Sequence, residues 1–289
     1  METKYAFVIN PNAGVKKKLN IEKFIESNFP KSLSYDIIIW EDADDITPIS
    51  KQIQQNQYQF VVACGGDGTV NMVAALLVHT QIALGILPLG SGNGLARSNG
   101  IPMNLLKALD VIVKGKTKVI DSGTINTHPF FCTAGIGFDA LIAHKFAEST
   151  KRGFITYFKT SVSEFFKYKP LTYAINVDEK IIKTSAFLIT VANAGQWGND
   201  VYIAPAAKLN DGLFHISILK PFPLMTLPFF GVKLFSKKAD TFKYLESIIG
   251  KKVEIEFDHQ LPAHYDGEPL VANGKISIEM FPLSLRIIC

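Results

Sequence analysis

The 289-residue chain reads as an α/β domain followed by an all-β domain, the second a sandwich. Three observations predict this. As far as residue 119, short apolar runs alternate with segments whose apolar residues recur at helical spacing. Three of those runs end in turns that carry glycine. From residue 124 onward, short β-rich segments separated by turn residues replace the alternation. The predicted domains are therefore residues 1–123 and 124–289, a length that suits two ordinary cores.

The elements follow in order. Residues 5–9 form a first buried strand ending in Asn10-Pro11-Asn12-Ala13-Gly14, with Lys16, Lys17 and Lys18 beside it. Ile21, Phe24 and Ile25 mark a helix, and residues 35–40 a second strand. Thr47-Pro48 opens the next helix as a hydroxyl cap followed by proline at the first helical position. Residues 60–64 then make a buried strand that ends in Gly65-Gly66-Asp67-Gly68-Thr69-Val70-Asn71. Val70, Val73, Ala74, Leu77 and Val78 recur at helical spacing, so this stretch is strand, tight turn, helix. A fourth strand, residues 82–89, ends in Gly90-Ser91-Gly92-Asn93-Gly94, and a helix over 105–113 closes the section.

In the second domain, residues 130–133, 171–177, 181–192, 213–219, 253–257 and 276–280 read as strands. Asp178-Glu179-Lys180 and Asn210-Asp211-Gly212 have the chemistry of turns. Residues 140–169 look helical. Residues 221–235 are apolar but broken by Pro223 and Pro228, and Lys237-Lys238 follow. That segment is either a helix packed on the domain core or an element that dips into a membrane interface.

Composition narrows the function. With 47% hydrophobic and 19% charged residues the chain is folded rather than disordered. A net charge of +4 suits an anionic substrate or an acidic membrane surface and does not call for nucleic acid. Cys64, Cys132 and Cys289 form no Cys-x-x-Cys pair, which argues against a disulfide framework or a zinc site. The opening residues enter a strand, so no signal peptide is expected. No apolar run reaches the roughly 18 residues needed to cross a bilayer, and a cytoplasmic location is expected.

Glycine lets a chain turn sharply and brings bare backbone N–H groups close to a phosphate. In an open α/β sheet such turns gather at the carboxyl ends of the strands, where ligands bind. The turns after Ile9, Cys64 and Leu89 would converge there. A ligand-free βα turn remains the alternative for each taken alone. Asp67 would repel phosphate unless a metal ion or a hydroxyl lay between, so its predicted work is to organise metal or the loop itself.

Gly65-Gly66-Asp67-Gly68-Thr69-x-Asn71, with Asn10-Pro11-x-Ala13-Gly14 before it and Pro88-x-Gly90-Ser91-x-Asn93 after it, resembles the diacylglycerol kinase catalytic-domain family. Soluble bacterial lipid kinases and sphingosine kinases belong to that family. The likeness continues through Gly135-Ile136-Gly137-Phe138-Asp139-Ala140, Lys208-Leu209-Asn210-Asp211-Gly212 and Asp266-Gly267-Glu268. It implies a three-layer, Rossmann-like nucleotide domain of the NAD-kinase and diacylglycerol-kinase type, then a β-sandwich whose helical insertions help form a lipid cleft. It implies an ATP-dependent lipid kinase, peripheral at the inner face of the membrane, with a homodimer left open.

By the same resemblance Asn10, Pro11, Asn12, Ala13, Gly14, Gly65, Gly66, Asp67, Gly68, Thr69, Val70, Asn71, Met72 and Ser91 would line the ATP site. Glu268 would accept the proton of the lipid hydroxyl, beside Asp67 as the second catalytic carboxylate. Asp211, with the carbonyls of Lys208 and Leu213, would hold Mg2+, and Asp121 would reach that ion through water. Two departures stand out. Gly94 replaces the usual aspartate, which brings the turn nearer to the sphingosine kinases, and Trp40-Glu41 stands where a threonine is common. Besides a sphingoid-base kinase, the other readings are an NAD kinase, whose second-domain Gly-Ser-Thr-Ala-Tyr type motif is absent, and a non-catalytic nucleotide- or lipid-binding regulator.

Overall fold

The protein is described here from a computed structural model. It describes residues 3–11, 20–42, 45–148 and 154–289, with side chains for all of these except 148 and 154–159. The chain forms two compact units, Met1–Ile120 with Leu283–Cys289, and Asp121–Pro282.

The first unit alternates strands and helices: β1 (Lys4–Ile9), α1 (Ile21–Asn28), β2 (Ser34–Ile39), α2 (Thr47–Gln55), β3 (Phe60–Gly65), α3 (Asp67–Leu77), β4 (Ala83–Pro88), α4 (Gly94–Ser98) and α5 (Leu105–Lys114). Strand β5 (Thr117–Ile125) leads out of it. The sheet runs β4-β3-β1-β2, all parallel. Strands covered on both faces read as unbroken apolar runs, and β3 and β4 are buried from Val61 to Gly65 and from Ala83 to Pro88. Helix α3 buries Val70, Val73, Ala74 and Leu77, the stripe expected from spacing. Asn20 and Asn104 cap α1 and α5, their side chains accepting from Lys23 N–H and Lys107 N–H. Thr47 is not the cap of α2. It is the first helical residue, and its N–H donates to Asp45 Oδ1 at 2.9 Å. The helix therefore starts one residue earlier than the Thr-Pro pair suggests, with Ile46 at the cap position and Asp45 taking the amide of the first helical residue.

The second unit contains β6 (His128–Phe130), β7 (Thr133–Gly137), α6 (Phe138–Glu148), α7 (Phe154–Phe165), β8 (Leu171–Val177), β9 (Lys180–Ala186), β10 (Leu188–Ala192), β11 (Gln196–Gly198), β12 (Val201–Tyr202), β13 (Phe214–Leu219), α8 (Leu227–Phe235), β14 (Leu245–Gly250), β15 (Lys252–Tyr265) and β16 (Glu268–Ile288). It is a β-sandwich in which β14-β13-β10-β7-β15 run antiparallel and β8 and β9 extend from β15. Phe130, Ile136, Tyr173, Ile189, Phe214 and Ile255 belong to its apolar core.

Three expectations change. The run over 181–192 is two strands, because the chain changes partners at Phe187: β9 pairs with β8, while β10 pairs with β7 and β13. Strand β14 is a short run interrupted by Glu246 and Ser247, and β15 and β16 extend past their apolar runs through exposed residues such as Asp258, His259, Gln260, Asn273 and Lys275. The end of β16 joins the first unit, where Arg286 and Ile287 pair in parallel with Ala83 and Leu84. Leu285, Ile287 and Ile288 are buried there, and an apolar strand end names no partner by itself.

Candidate active site

Strands β3 and β4 lie side by side with Gly65 opposite Pro88, and β1 flanks β3 with Ile9 opposite Cys64. Parallel pairing therefore brings the turns after all three strands to one sheet edge. Leu89 N–H donates to Gly65 O at 2.9 Å, which ties the two glycine turns together. They pack backbone on backbone: a Cβ on Gly90 would stand 2.7 Å from Gly66 Cα, and one on Gly65 would stand 2.4 Å from Thr69 Cβ. Only glycine fits at such an approach.

Asp67 is the first residue of α3, and its carboxylate spans both turns. Oδ2 accepts Asn93 N–H at 2.9 Å and Oδ1 accepts Gly94 N–H at 2.7 Å. A Cβ on Gly92 would reach within 2.6 Å of Oδ2. Asn93 holds a left-handed backbone with φ 50°; its Nδ2 donates to Gly90 O at 2.7 Å and its Oδ1 accepts Gly90 N–H at 3.2 Å. Arg97 Nε donates to Gly92 O at 2.9 Å. Burial pushes the Asp67 carboxyl above the usual aspartate range, against the opposing pull of the Gly94 and Asn93 amides and the Arg97 charge. Of the two roles expected for Asp67, its contacts are those of a loop organiser.

That orientation removes the difficulty of a carboxylate among amides that would face a phosphate. The carboxylate is taken up chiefly by the 93–94 turn, while the residue before α3, Gly66, has no side chain to cap the helix amides. A helix start of this kind favours an anion. Asn10 Nδ2 donates to Thr69 Oγ1 at 3.3 Å, joining the first turn to α3. Thr69, Val70 and Asn71 are buried, Gly66, Gly68 and Met72 are half-buried, and Pro11 and Ser91 are exposed. Val70 is a core residue, so only its backbone is available to a nucleotide. Asn12, Ala13, Gly14 and the three lysines that follow lie outside the described residues. Trp40 is buried, and its backbone N–H donates to Ile9 O at 2.8 Å.

In the second unit, Asp121 is fully buried and holds the loop of residues 208–213. Its Oδ2 accepts Gly212 N–H at 2.7 Å and its own N–H donates to Leu209 O at 2.6 Å. Asn193 Nδ2 fixes Asp121 in turn, donating to its carbonyl at 2.9 Å and to Phe131 O at 2.8 Å. Asp211 and Lys208 are exposed, and Asp211 Oδ1 accepts Leu213 N–H at 3.1 Å. Burial lowers the His215 imidazole below its ordinary range, and the Asp211 charge partly offsets this. One carboxylate with main-chain carbonyls is an all-oxygen set that suits a hard cation such as Mg2+. Among the described residues no three His, Cys, Asp or Glu side chains cluster as metal ligands, so such an ion would depend on carbonyls and water.

Glu268 opens β16 directly after a two-residue hairpin turn, Asp266 with φ 49° and Gly267 with φ 87°. Glu268 is half-buried opposite Tyr265, whose hydroxyl is pushed up by burial and then by the charges of Glu268 and Asp266. Asp266 had no role assigned from sequence, yet it anchors the turn. Its Oδ2 accepts Phe131 N–H at 2.9 Å, and its Oδ1 accepts the amides of Cys132 and Thr133 at 2.8 and 3.0 Å.

A second group missed from sequence lies just behind this hairpin. Asp139 Oδ2 accepts Thr190 Oγ1–H at 2.7 Å and stands 3.2 Å from His264 Nε2, all three side chains being buried. A Cβ on Gly135 would come within 2.9 Å of Asp139 Oδ2 and 3.0 Å of His264 Nε2. Glycine, aspartate and a distant histidine thus make one packed unit. The Gly-Ile-Gly-Phe-Asp motif was its only visible signal.

Glycine turns at the strand ends of an α/β unit, followed by a β-sandwich, are the arrangement that the sequence leads us to expect of a nucleotide-using kinase. The comparisons agree. Residues 4–125 match the diacylglycerol kinase catalytic domain, and residues 132–289 match the YegS C-terminal NAD kinase beta sandwich-like domain. A Klebsiella pneumoniae (strain 342) protein named "Probable lipid kinase YegS-like" is 32% identical over 86% of this chain and 84% of its own length. The diacylglycerol kinase of Bacillus subtilis (strain 168) is 27% identical over 90% of this chain and 88% of its own. A crystal structure of a diacylglycerol kinase from Bacillus anthracis str. Sterne superposes with TM-score 0.76 at 20% identity, covering 99% of this chain and 96% of that one. An ATP complex of the Archaeoglobus fulgidus NAD kinase superposes with TM-score 0.55 at 12% identity, covering 99% and 94%. The chain belongs to the family of diacylglycerol kinases and YegS-type lipid kinases, and it is a kinase.

Proposed function

We propose that this kinase transfers the γ-phosphoryl group of ATP to a hydroxyl of a membrane lipid, with diacylglycerol as the first acceptor to test. The observation that carries the reading is the Asp67 carboxylate, which closes the 93–94 turn against α3 and leaves bare glycine backbone at the strand ends. Phosphoryl transfer asks the protein for positioning and for charge stabilisation more than for covalent chemistry. Rigid turns of this kind supply the first.

In the proposed reaction the acceptor oxygen bonds to the γ-phosphorus while the bond to the β,γ-bridging oxygen breaks, and ADP leaves. Glu268 takes the hydroxyl proton. A carboxylate is a weak base for an alcohol, so this transfer is useful only as the new bond forms. Mg2+ held by Asp211 and the carbonyls of Lys208 and Leu213 would supply fixed positive charge near that loop. The names of the Klebsiella pneumoniae and Bacillus subtilis relatives support a lipid acceptor. Such an acceptor implies peripheral contact with the inner face of the membrane.

A sphingoid-base acceptor is the second reading, favoured by the Gly90-Ser91-Gly92-Asn93 turn and by Gly94. The test is transfer of labelled γ-phosphate from ATP to diacylglycerol, sphingosine, ceramide, phosphatidylglycerol and NAD in parallel. Label in the diacylglycerol product supports the first reading and label in the sphingosine product the second. Label in NAD alone, or in none of the five, overturns the lipid-kinase reading for this chain.

A further inference from the structure

Helix α8 and the turn before it, Leu224–Thr226, are apolar apart from Thr226 and Lys233. A helix of that composition should be enclosed, yet only one side of α8 is. Phe230 is buried, with its ring stacked 4.7 Å from that of Phe242, and Leu227 and Leu234 pack on the same cluster. The opposite side faces solvent: Phe229 and Val232 are each 68% exposed, Phe235 and Leu224 55%, and Met225 87%. Five large apolar side chains within twelve residues form a patch, whereas exposed apolar residues such as Ile39, Leu106 and Val271 stand alone. Contiguous exposure of this kind marks a surface that is covered in use.

The charges around it identify the cover. Residues 221–245 hold four lysines (Lys233, Lys237, Lys238 and Lys243) and one acid, Asp240. Lys237 and Lys238 are exposed directly after the helix, and Lys237 Nζ sits 4.5 Å from the centre of the Tyr202 ring. An apolar stripe edged by lysines complements an anionic bilayer surface. A two-fold contact between copies would instead bring the same patch of both copies together and so gather two sets of these lysines at one interface.

We propose that the solvent-facing side of α8 docks onto an anionic lipid bilayer, Met225, Phe229 and Val232 entering the interface and Lys237 and Lys238 meeting the headgroups. The choice of a bilayer over another partner rests on the lipid-kinase reading above.

The test is co-sedimentation, without ATP, with vesicles of phosphatidylcholine and of phosphatidylcholine mixed with phosphatidylglycerol. F229S/V232S should lower the partition coefficient for both vesicles by about tenfold or more. K237E/K238E should lower it by about tenfold for the mixed vesicles only. Both variants change exposed side chains, and both should phosphorylate a short-chain diacylglycerol dispersed in solution as wild type does. Unchanged partitioning of folded F229S/V232S overturns the proposal. So does a wild-type dimer that F229S/V232S converts to monomer in sedimentation velocity while vesicle binding stays the same. If wild type binds the mixed vesicles but labels no lipid, the kinase reading fails and the docking surface stands.

Discussion

Asp67 and Gly94 are joined by a hydrogen bond of 2.7 Å from the glycine amide to the aspartate carboxylate. The same carboxylate takes the Asn93 amide, so one side chain at the start of α3 sets the shape of the turn after β4. Asp67 thereby acts on the backbone that would meet phosphate.

The close contact between turns tests this packing. In G90A the new Cβ meets Gly66 Cα at 2.7 Å and Asn93 Oδ1 at 2.9 Å, so the two turns must separate. Chemical denaturation should show a loss of about 1–3 kcal/mol, and calorimetry a loss of ATP affinity. G231A is the counterpart, since a Cβ there meets nothing within 4 Å in the interior of α8. It should gain about 0.5–1 kcal/mol.

D266A removes the acceptor for three amides at once, those of Phe131, Cys132 and Thr133. A loss of about 3 kcal/mol in urea unfolding is expected if each buried amide costs about 1 kcal/mol or more when orphaned. D266N keeps one acceptor oxygen and should fall between D266A and wild type.

E268Q keeps the size of the side chain and its place at the start of β16 and removes the charge to which the proposed reaction gives the hydroxyl proton. The turnover number should fall by about 100-fold or more, while the ATP dissociation constant measured by calorimetry stays as in wild type. An unchanged turnover number would remove Glu268 from the reaction.

Asp36 gives a pH dependence. The hydrogen bonds from Lys4 Nζ, at 2.8 Å, and from Tyr58 OH, at 2.6 Å, hold its carboxyl below the usual range. A folded-state value below the unfolded one means stability that is present above the unfolded value of about 3.9 and is lost as pH falls through the folded one. The Asp36 side chain is 44% exposed, so the gain should be under about 1 kcal/mol. Unfolding of wild type and D36N should differ by that amount at neutral pH and converge in acid.

Much of the architecture was written in local patterns. Buried parallel strands such as β3 are continuous apolar runs, and α3 shows its stripe in Val70, Val73, Ala74 and Leu77. The two glycine turns were legible because only glycine tolerates such approaches. What could not be read were long-range partners. Nothing near Asp67 in sequence says that its acceptors face residues 93 and 94, and nothing near Asp266 says that it binds the amides of 131–133. His264 is an unremarked histidine in a strand until the fold brings it beside Asp139. The break at Phe187 and the transfer of residues 283–289 to the first unit likewise depend on which strand lies alongside.

The most direct measurement is the rate of γ-phosphate transfer from ATP to diacylglycerol in mixed micelles by wild type and D67N. Asparagine keeps the shape of Asp67 but offers one acceptor for two amides, and a turn displaced by about 1 Å costs on the order of 100-fold in rate. Wild type should produce labelled phosphatidic acid, with D67N folded and slower by about that factor. Equal rates in the two proteins, or no transfer by wild type to any lipid acceptor, would contradict the assignment of these turns to a lipid kinase site.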